Sequence, residues 1–585
     1  MLIGLITGLV VFCFNVIGFK LLYFPGDLGD ARLIIYSLEH SHKYFTGQLS
    51  SFWNAPFIFP EKEVMSYSET LVGFAPLFSF FRLMTFDIYT SFQLWFVVVS
   101  SLNYIMAFYF LQYVFKNNYA AVLGAFVFAF SIALQSQLTH AQTFSRFPIP
   151  LAFFMAVKFS EKYEPRYFFF TLLSVVYQIY CGIYLGFMLA VSVAIYVCVI
   201  MIKKLFFEKH IMLDYKWHIH IVLSGLLNML ILLPLLLPYM RKKIAPGIDH
   251  YNQIVNTIPT IKSHFFSQEG SLVWDFLSKT GIHYQAWWDH QIFAGAIATI
   301  CLMIGFSLLF TYAVKSKFNL QSFSVPLLLF LTGFITFFLY MRFDKLSAYI
   351  ILYFLPGFSS MRSMTRIINI ELIFFATAIA FVFTNIFEKY PKYRSLVFIL
   401  SFIVLVCDNY FHQEKSYKTL VSIAQTRTDA LEKTFSKIPA GSIVSYEPLQ
   451  IESLPIHYHI DAMLISQQYN QISVNGYTGY CPGDYGMYWN DPNEKTRNYW
   501  LRDKKINNDI LYVVKAPDII EKVYIKDIQN TNWNNADKTR LEDVINYIKT
   551  DKKWMKVIEK KAKEKEISID SMLMLDAKWV IENDK

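Results

Sequence analysis

The sequence is poor in charged residues and in cysteine. Only 17% of its 585 residues are charged, whereas 55% are apolar and 18% are aromatic. Soluble domains hold about a quarter charged residues. The six cysteines show no spacing typical of a disulfide framework or a zinc site, and no internal repeat or low-complexity tract is present. These absences exclude a disordered chain, a disulfide scaffold and a nucleic-acid-binding protein.

Long apolar runs fill the first 411 residues and predict an α-helical polytopic membrane protein. The N-terminal run has no preceding basic residues and no small-residue cleavage site, so we expect a retained first span. Windows of span length predict about eleven membrane helices in a transmembrane domain over 1–411. These lie near 2–23, 88–115, 118–138, 146–159, 167–183, 184–202, 217–240, 291–314, 322–340, 367–387 and 395–411.

The distribution of charge predicts the orientation of these spans. Residues after Phe411 include 25 basic and 25 acidic side chains, so the whole excess of nine positive charges lies before it. Lys and Arg collect in cytoplasmic loops. We therefore expect a cytoplasmic N-terminus in the inner (cytoplasmic) membrane. An odd number of spans then places the long loops 24–87 and 241–290, and the chain after Phe411, outside the cytoplasm.

Composition changes after Phe411 to that of a soluble protein. Residues 412–585 contain strand-like runs, GSIVSYE and SMLMLDA, and the helix-like run KKWMKVIEKKAKEKE. We expect a C-terminal extracytoplasmic α/β domain, large enough to fold alone. The two histidines of HYHID would share one face of a strand, most simply a surface strand.

The first long loop opens with FPGDLGDARL, which places Asp27 and Asp30 where the first span ends. One interpretation is a helix cap and a loop acid, with Asp30 capping a helix that begins at Ala31. The other is a general base held at the membrane surface, with Arg32 as a phosphate or acid partner. The apolar spacing of the next twenty residues predicts an amphipathic helix in the membrane interface.

Other polar side chains lie at predicted outer ends of spans, where polar groups are costly in lipid and therefore mark candidate sites. Arg362 and Arg366 are four residues apart, hence on one helical face, and suit a lipid phosphate; anchoring to head groups is the alternative. Each remaining side chain is alone more typical of an interhelical hydrogen bond or a loop. The remaining candidates are Arg146 for phosphate, and Glu61, His140, Gln142, Gln178, Tyr180 and His290 for a substrate pocket.

The acidic GD-x-GD-x-R sequence at 26–32, followed by an interfacial helix, resembles the first outer loop of the GT-C superfamily of polytopic glycosyltransferases. The stretches HQIFAG (290–295), LPGFSSMRSMTRI (355–367), DAML (461–464) and NGYTGYCP (475–482) resemble bacterial YfhO-like and related uncharacterised membrane proteins. Many GT-C enzymes carry two adjacent acids in this loop, whereas Asp27 and Asp30 are three apart. Which of the two is catalytic is left open.

The resemblance implies an inverting transfer of a sugar from a polyprenyl-phosphate donor to an extracytoplasmic acceptor, either a glycan, a lipid or a cell-envelope polymer. Asp27 or Asp30 would deprotonate the acceptor, and Arg362, Arg366 and Arg146 would hold the donor phosphate. Some GT-C enzymes use a divalent metal ion and others none, so the metal is left open. The expected partners are the lipid-linked sugar and membrane lipids. The alternatives are a membrane transporter or lipid flippase, and a non-catalytic envelope assembly protein.

Overall fold

The computed structural model divides the chain into two compact units. The first unit comprises Met1–Ser50 and Glu69–Ala424, and the second comprises Ser51–Ser68 and Gln425–Lys585. The expected boundary at 412 thus leaves residues 412–424 with the helical unit, and part of the first long loop belongs to the second unit. The structure describes residues 1–207, 215–242, 248–317, 319–344, 346–450, 454–482, 485–507, 510–516, 518–530, 544–545, 547–565 and 567–583.

Apolar helices occupy all eleven predicted positions in the first unit. Six are long and apolar enough to cross a membrane, and the other five have 15 to 17 residues, so the number that cross stays a prediction. The long ones are Ile88–Phe115, Asn118–Gln137, Ile183–Lys204, Tyr215–Arg241, Ala296–Lys315 and Met364–Lys389. The shorter ones are Leu2–Ile17, Pro148–Lys162, Pro165–Cys181, Val325–Leu339 and Arg394–Asn409.

Local sequence signals set the ends of several of these helices. Asp87 begins one by accepting the backbone N–H groups of Tyr89 and Thr90. Proline occupies the first turn of the helices starting at 148 and 165, where its missing N–H costs no hydrogen bond. Gly182 separates two helices. A Cβ at this position would lie 2.8 Å from the carbonyl oxygen of Gln142, so the close packing here requires glycine.

Connections between the helices gather at two opposite ends of the bundle. The "loop end" comprises the described residues 18–50, 69–87, 131–147, 182, 242, 248–295, 340–344, 346–363 and 410–420. Its segments contact one another: Gly73 donates to the carbonyl of Tyr180, and Arg342 to that of Pro259. The "turn end" comprises the described connections 116–117, 163–164, 316–317, 319–324 and 390–393. There Lys203 donates to the carbonyl of Phe323. Successive connections therefore alternate between the two ends along the chain.

The helix predicted after the first span is present, and both its apolar and its polar faces are buried; its place in the membrane interface stays a prediction. It extends over Asp30–Phe45, and every residue from Ala31 to Lys43 is buried. Its polar side chains have polar partners on the helix Ala75–Leu83: the Glu39 carboxylate accepts from Arg82 at 2.7 and 3.1 Å. Pairing with a second helix buries the face that the sequence pattern assigned to water.

Smaller elements complete the first unit. Strand Tyr23–Pro25 pairs antiparallel with Lys418–Leu420, and Arg342–Phe343 forms a short hairpin with Leu346–Ser347. The remaining α-helices of this unit are Ile248–Val255 and Ile350–Tyr353, and the helix Val421–Phe435 leads into the second unit.

The second unit is built around a four-stranded sheet, as expected for an α/β domain. The strand order is Ile472–Ser473, Ile443–Tyr446, Ile510–Ala516 and Ile519–Tyr524; the first three are parallel and the last is antiparallel. Residues 51–68 belong here because Ser473 donates to the carbonyl of Pro56. Its helices are Pro455–Gln468, Gly486–Asn490, Glu494–Arg502, Ile525–Asn530, Lys552–Glu564 and Ile569–Asn583.

Two strand predictions in this unit are wrong and one is correct. GSIVSYE supplies the strand Ile443–Tyr446, but HYHID lies within the helix Pro455–Gln468 and SMLMLDA within Ile569–Asn583. The last helix packs Met572 and Leu573 against Ile558 of the preceding helix. A short apolar run is compatible with either element, and this neighbouring helix decides the outcome.

Candidate functional site

Asp27 follows a strand and a tight turn that fix its position. The strand Tyr23–Pro25 ends at Gly26, whose φ of +96° favours glycine. Asp27 Oδ1 then accepts the N–H groups of Gly29 at 3.0 Å and Ala31 at 3.3 Å. Asp27 therefore caps the helix Asp30–Phe45, and the prediction that Asp30 caps it is wrong. Its side chain remains exposed.

Asp30 faces a histidine from a different connection. Its Oδ2 lies 3.6 Å from His140 Nδ1, which is an ion-pair distance and too long for a hydrogen bond. His140 lies between two 3₁₀ turns, Ile132–Gln137 and Ala141–Thr143. Its imidazole is also close enough to interact electrostatically with Asp27 and Glu69. One histidine thus stands within electrostatic reach of three acids.

Glu69 is a buried acid of the same cluster that the sequence did not single out. Its Oε1 accepts the backbone N–H of Tyr184 at 2.8 Å. Its Oε2 lies 3.9 Å from Arg366 Nη1, with both side chains about 10% exposed. The Arg366 guanidinium also lies over the Tyr184 ring, 4.8 Å from its centroid. Glu69 lies in a polar stretch without a recognisable motif. Its burial depends on tertiary packing, so the sequence alone did not indicate it as a site residue.

We call these five side chains the acid cluster: Asp27, Asp30, Glu69, His140 and Arg366. They come from four stretches of chain that are far apart in sequence. All of them belong to the first unit and meet at its loop end. The sequence predicted Asp27, Asp30, His140 and Arg366 as site residues, and the structure brings these four together.

The surroundings of Glu69 and Asp27 raise the pKa values of both acids. Burial is the main cause for Glu69, and it outweighs the opposing charges of Arg366 and His140 and the N–H groups of Tyr184 and Ile183. Although part of the Asp27 surface reaches solvent, the protein packed around its carboxylate raises the pKa of Asp27; the charge of Asp30 adds to this, and the N–H groups that Asp27 accepts oppose it. Perturbed acids beside a guanidinium are typical of functional sites.

Several buried polar atoms near the acid cluster have no hydrogen-bond partner among the described residues. These atoms are Glu69 Oε2, Arg366 Nε, His140 Nδ1 and Gln142 Oε1. Each such atom costs about 1–3 kcal/mol if left unsatisfied, and native proteins keep few of them. A guanidinium N–H suits a phosphate oxygen, and a carboxylate oxygen suits a hydroxyl. The cluster is therefore equipped for a ligand that carries both groups.

The donor chemistry of these acids suits a divalent metal ion, but their arrangement does not. Carboxylates and imidazole are common ligands of such ions. Within the described part of the chain, no three His, Cys, Asp or Glu side chains converge to hold one.

The predicted arginines have different surroundings. Arg362 lies in an irregular segment before the 3₁₀ turn Met364–Ile367, so it does not share a helical face with Arg366. It is exposed, and its backbone N–H donates to the Tyr184 hydroxyl at 3.0 Å. Arg146 is buried and donates to Asn369 Oδ1 at 3.2 Å. Asn369 in turn donates to the carbonyl of Arg366, which connects Arg146 to the acid cluster.

The remaining predicted residues have structural contacts. Gln178 donates to the carbonyl of Ser145 at 2.8 Å, and Tyr180 to that of Ile231 at 2.7 Å. Arg32 is fully buried in the helix that follows Asp27. The two hydrogen bonds satisfy the Gln178 amide nitrogen and the Tyr180 hydroxyl. A role of Gln178, Tyr180 and Arg32 in a substrate pocket stays a prediction.

Two candidates belong to other networks. His290 bonds Ser263 through Nδ1 and the carbonyl of Asn256 through Nε2, both at 2.8 Å, within the second long loop. Glu61 lies in the second unit and accepts the hydroxyl of Tyr67 at 3.0 Å. Neither contact involves a member of the acid cluster.

Solved structures similar to this chain include two of the oligosaccharyltransferase of Archaeoglobus fulgidus. The apo form matches with a TM-score of 0.48 and 11% identity over 87% of this chain and 68% of that chain. The complex with Zn and sulfate matches with a TM-score of 0.46 and 10% identity over 88% of this chain and 67% of that chain. No family model and no curated protein matches the sequence.

Proposed function

We propose that the protein is an integral-membrane glycosyltransferase of the GT-C type, which moves a sugar from a polyprenyl-phosphate donor to an extracytoplasmic acceptor. One observation carries this proposal. Asp27 and Asp30 lie where the first span ends, and Asp30 faces His140. Arg366 faces Glu69. These side chains meet at the loop end of the apolar bundle, where His140 is close to Glu69. An acceptor base and a phosphate ligand are the two groups that a single displacement needs.

Arg366 supports the donor part of the reaction. Stacking on Tyr184 and the nearby Glu69 carboxylate hold its guanidinium in place. A planar guanidinium matches two phosphate oxygens at once. Arg366 would thus bind the donor phosphate and stabilise the charge that the phosphate acquires when it leaves. Arg362 and Arg146, exposed and buried respectively, would have lesser parts in this contact.

Asp27 supports the acceptor part. One of its oxygens is fixed by two backbone N–H groups, which orients the carboxylate, and a raised pKa makes it a stronger base. The acceptor hydroxyl would give its proton to Asp27 while its oxygen attacks the anomeric carbon. The bond from that carbon to the phosphate oxygen breaks, and the leaving polyprenyl phosphate keeps the electron pair. One displacement inverts the anomeric centre.

The charge of the turn end supports the predicted orientation. Basic residues lie in this end or in the last turns of the helices that lead to it, including Lys116, Lys162, Lys204, Lys317 and Lys392. Since such residues face the cytoplasm, the turn end would be cytoplasmic and the acid cluster extracytoplasmic. The chain enters the second unit twice from loop-end connections, so the second unit would also be extracytoplasmic. A phosphatase fused after Lys585 should be active, and fluorescence of a cytoplasm-only reporter there would contradict the orientation.

A transfer assay with matched aspartate variants tests the proposed function. Asp27→Asn keeps an oxygen that accepts backbone N–H groups but cannot accept a proton, so turnover should fall at least a hundredfold. Asp87 is the control, because it also caps a helix through two backbone N–H groups and is not in the acid cluster. Asp87→Asn should keep full activity. Equal activity of Asp27→Asn and wild type would remove Asp27 as the base.

A further inference from the structure

An open cleft of about 540 Å³ lies at the loop end, where the first apolar helix ends. It belongs wholly to the first unit, and the proposed glycosyl transfer uses none of its side chains. The lining residues are Gly18, Phe19, Lys20, Leu22, Tyr23, Gln413, Glu414 and Lys418.

The rim of the cleft continues the apolar surface of the first helix. Phe19 is 74% exposed and Leu22 is 51% exposed, directly after the helix Leu2–Ile17. The Phe19 ring stacks on Phe14 of that helix at a centroid distance of 5.1 Å. In a bilayer, acyl chains cover exposed apolar side chains of this kind. In such a bilayer the cleft would lie at the depth of lipid head groups.

The interior of the cleft carries both signs of charge. The Lys418 ammonium lies 4.7 Å from the Tyr23 ring centroid and donates to the Gln413 carbonyl. Lys20 supplies a second, exposed ammonium, and Glu414 is the one carboxylate in the lining. Two ammonium groups suit a phosphate, and a carboxylate suits an amine.

We propose that the cleft binds the head group of a phospholipid that carries both a phosphate and a primary amine, as phosphatidylethanolamine does. Lys20 and Lys418 would donate to the phosphate, and Glu414 would accept from the lipid amine. The acyl chains would leave along Phe19 and Leu22. This site is independent of the proposed glycosyl transfer.

The position of Lys418 places the proposed lipid site beside the strand that leads to Asp27. Lys418 is paired with Pro25 in the short antiparallel ribbon, and Asp27 follows two residues after Pro25. The backbone N–H of Gly26 also donates to the carbonyl of Tyr417. A head group held by Lys418 would therefore stabilise the ribbon from which Asp27 extends.

Native mass spectrometry of the full-length, delipidated protein tests this site with three lipids of equal chain length. Phosphatidylethanolamine has an amine that donates hydrogen bonds, phosphatidylcholine has one that cannot, and phosphatidylglycerol has none. Loss of a charge-assisted hydrogen bond corresponds to about tenfold or more in affinity. The wild type should therefore bind phosphatidylethanolamine about tenfold tighter than the other two.

Variants assign that preference to the cleft. Glu414→Gln should abolish the preference for phosphatidylethanolamine, and Lys20→Gln should weaken binding of all three lipids about tenfold. The control is Lys415→Gln, because Lys415 is exposed, paired with Glu269 and absent from the cleft lining; it should behave as wild type. Tightest binding of phosphatidylglycerol by the wild type, or unchanged binding in both cleft variants, would overturn the proposal. Because no sugar donor is present, the result does not depend on glycosyl transfer.

Discussion

Replacing Glu69 with glutamine should lower activity without destabilising the protein. Glutamine keeps the size of the side chain and an oxygen that accepts the N–H of Tyr184. It removes the negative charge that faces Arg366 and His140. Removal of one partner of a buried ion pair normally destabilises a protein by about 3–5 kcal/mol. The environment of Glu69 predicts no such loss of stability in Glu69→Gln.

Two opposing contributions, the attraction to Arg366 and the cost of burying the carboxylate, set the stability change in Glu69→Gln. Attraction between unit charges 3.9 Å apart is worth about 4 kcal/mol at an effective dielectric constant of about 20. Burial of the carboxylate costs several kcal/mol, and Oε2 has no hydrogen bond among the described residues to offset this. The raised pKa of Glu69 shows that burial prevails. Each unit of such a rise disfavours the ionised form by about 1.4 kcal/mol, so Glu69→Gln should be as stable as wild type or more stable at neutral pH.

The dependence on pH follows from the same shift. An acid whose pKa is higher in the folded than in the unfolded state binds more protons when folded, so wild-type stability rises as pH falls through the folded pKa. Glutamine does not titrate. The stability advantage of Glu69→Gln should therefore be largest at neutral pH and disappear on acidification.

Denaturant or thermal unfolding of purified protein between pH 7 and pH 4, with a transfer assay alongside, measures both effects. The control is Glu388→Gln, an exposed glutamate at the far end of the helix Ile368–Lys389. It should change neither stability nor activity. A loss of 3–5 kcal/mol in Glu69→Gln at pH 7 would refute the argument, because the ion pair would then outweigh burial. Full activity would remove Glu69 from the site.

Three further predictions follow from individual contacts. Asp27→Ala should destabilise the protein by about 1 kcal/mol through loss of the cap, whereas Asp27→Asn should not; parallel melting curves that coincide for both would contradict the capping role. Arg366→Lys should lower donor use about tenfold, since lysine loses the planar fork and much of the stacking on Tyr184; unchanged donor kinetics would disprove this contact. The Glu371 carboxylate, 2.9 Å from His264, raises the pKa of that histidine despite its burial, so its stabilisation is present below pH 6.5 and lost as pH rises through the folded pKa. Unfolding of His264→Gln should show no such loss.

The positions of the helices were predictable because each one is a long apolar run, and such runs have few alternatives in a membrane. The alternation of successive connections between the two ends followed from the same runs. It placed Asp27, His140 and Arg366 at one end of the bundle before any contact was known. The same reasoning placed His290 at that end. Its ring nitrogens bond Ser263 and Asn256, however, and not a member of the acid cluster.

Contacts between distant segments were not predictable. Glu69 is a site residue only because Tyr184 and Arg366 surround it. Capping of the helix by Asp27 rather than Asp30 accompanies a turn at Gly26, whose φ is positive. The spacing of residues along the chain predicts neither the surroundings of Glu69 nor the turn at Gly26.

Cleavage of a lipid-linked sugar by the wild-type protein tests the central claim most directly. Purified protein in liposomes is incubated with a panel of polyprenyl-phosphate-linked sugars, and mass spectrometry measures the free polyprenyl phosphate. A glycosyltransferase should release it from at least one donor, with transfer of the sugar to an acceptor hydroxyl at inverted configuration. Donors that remain intact throughout the panel, while the protein moves them across the bilayer, would contradict the claim and identify a flippase.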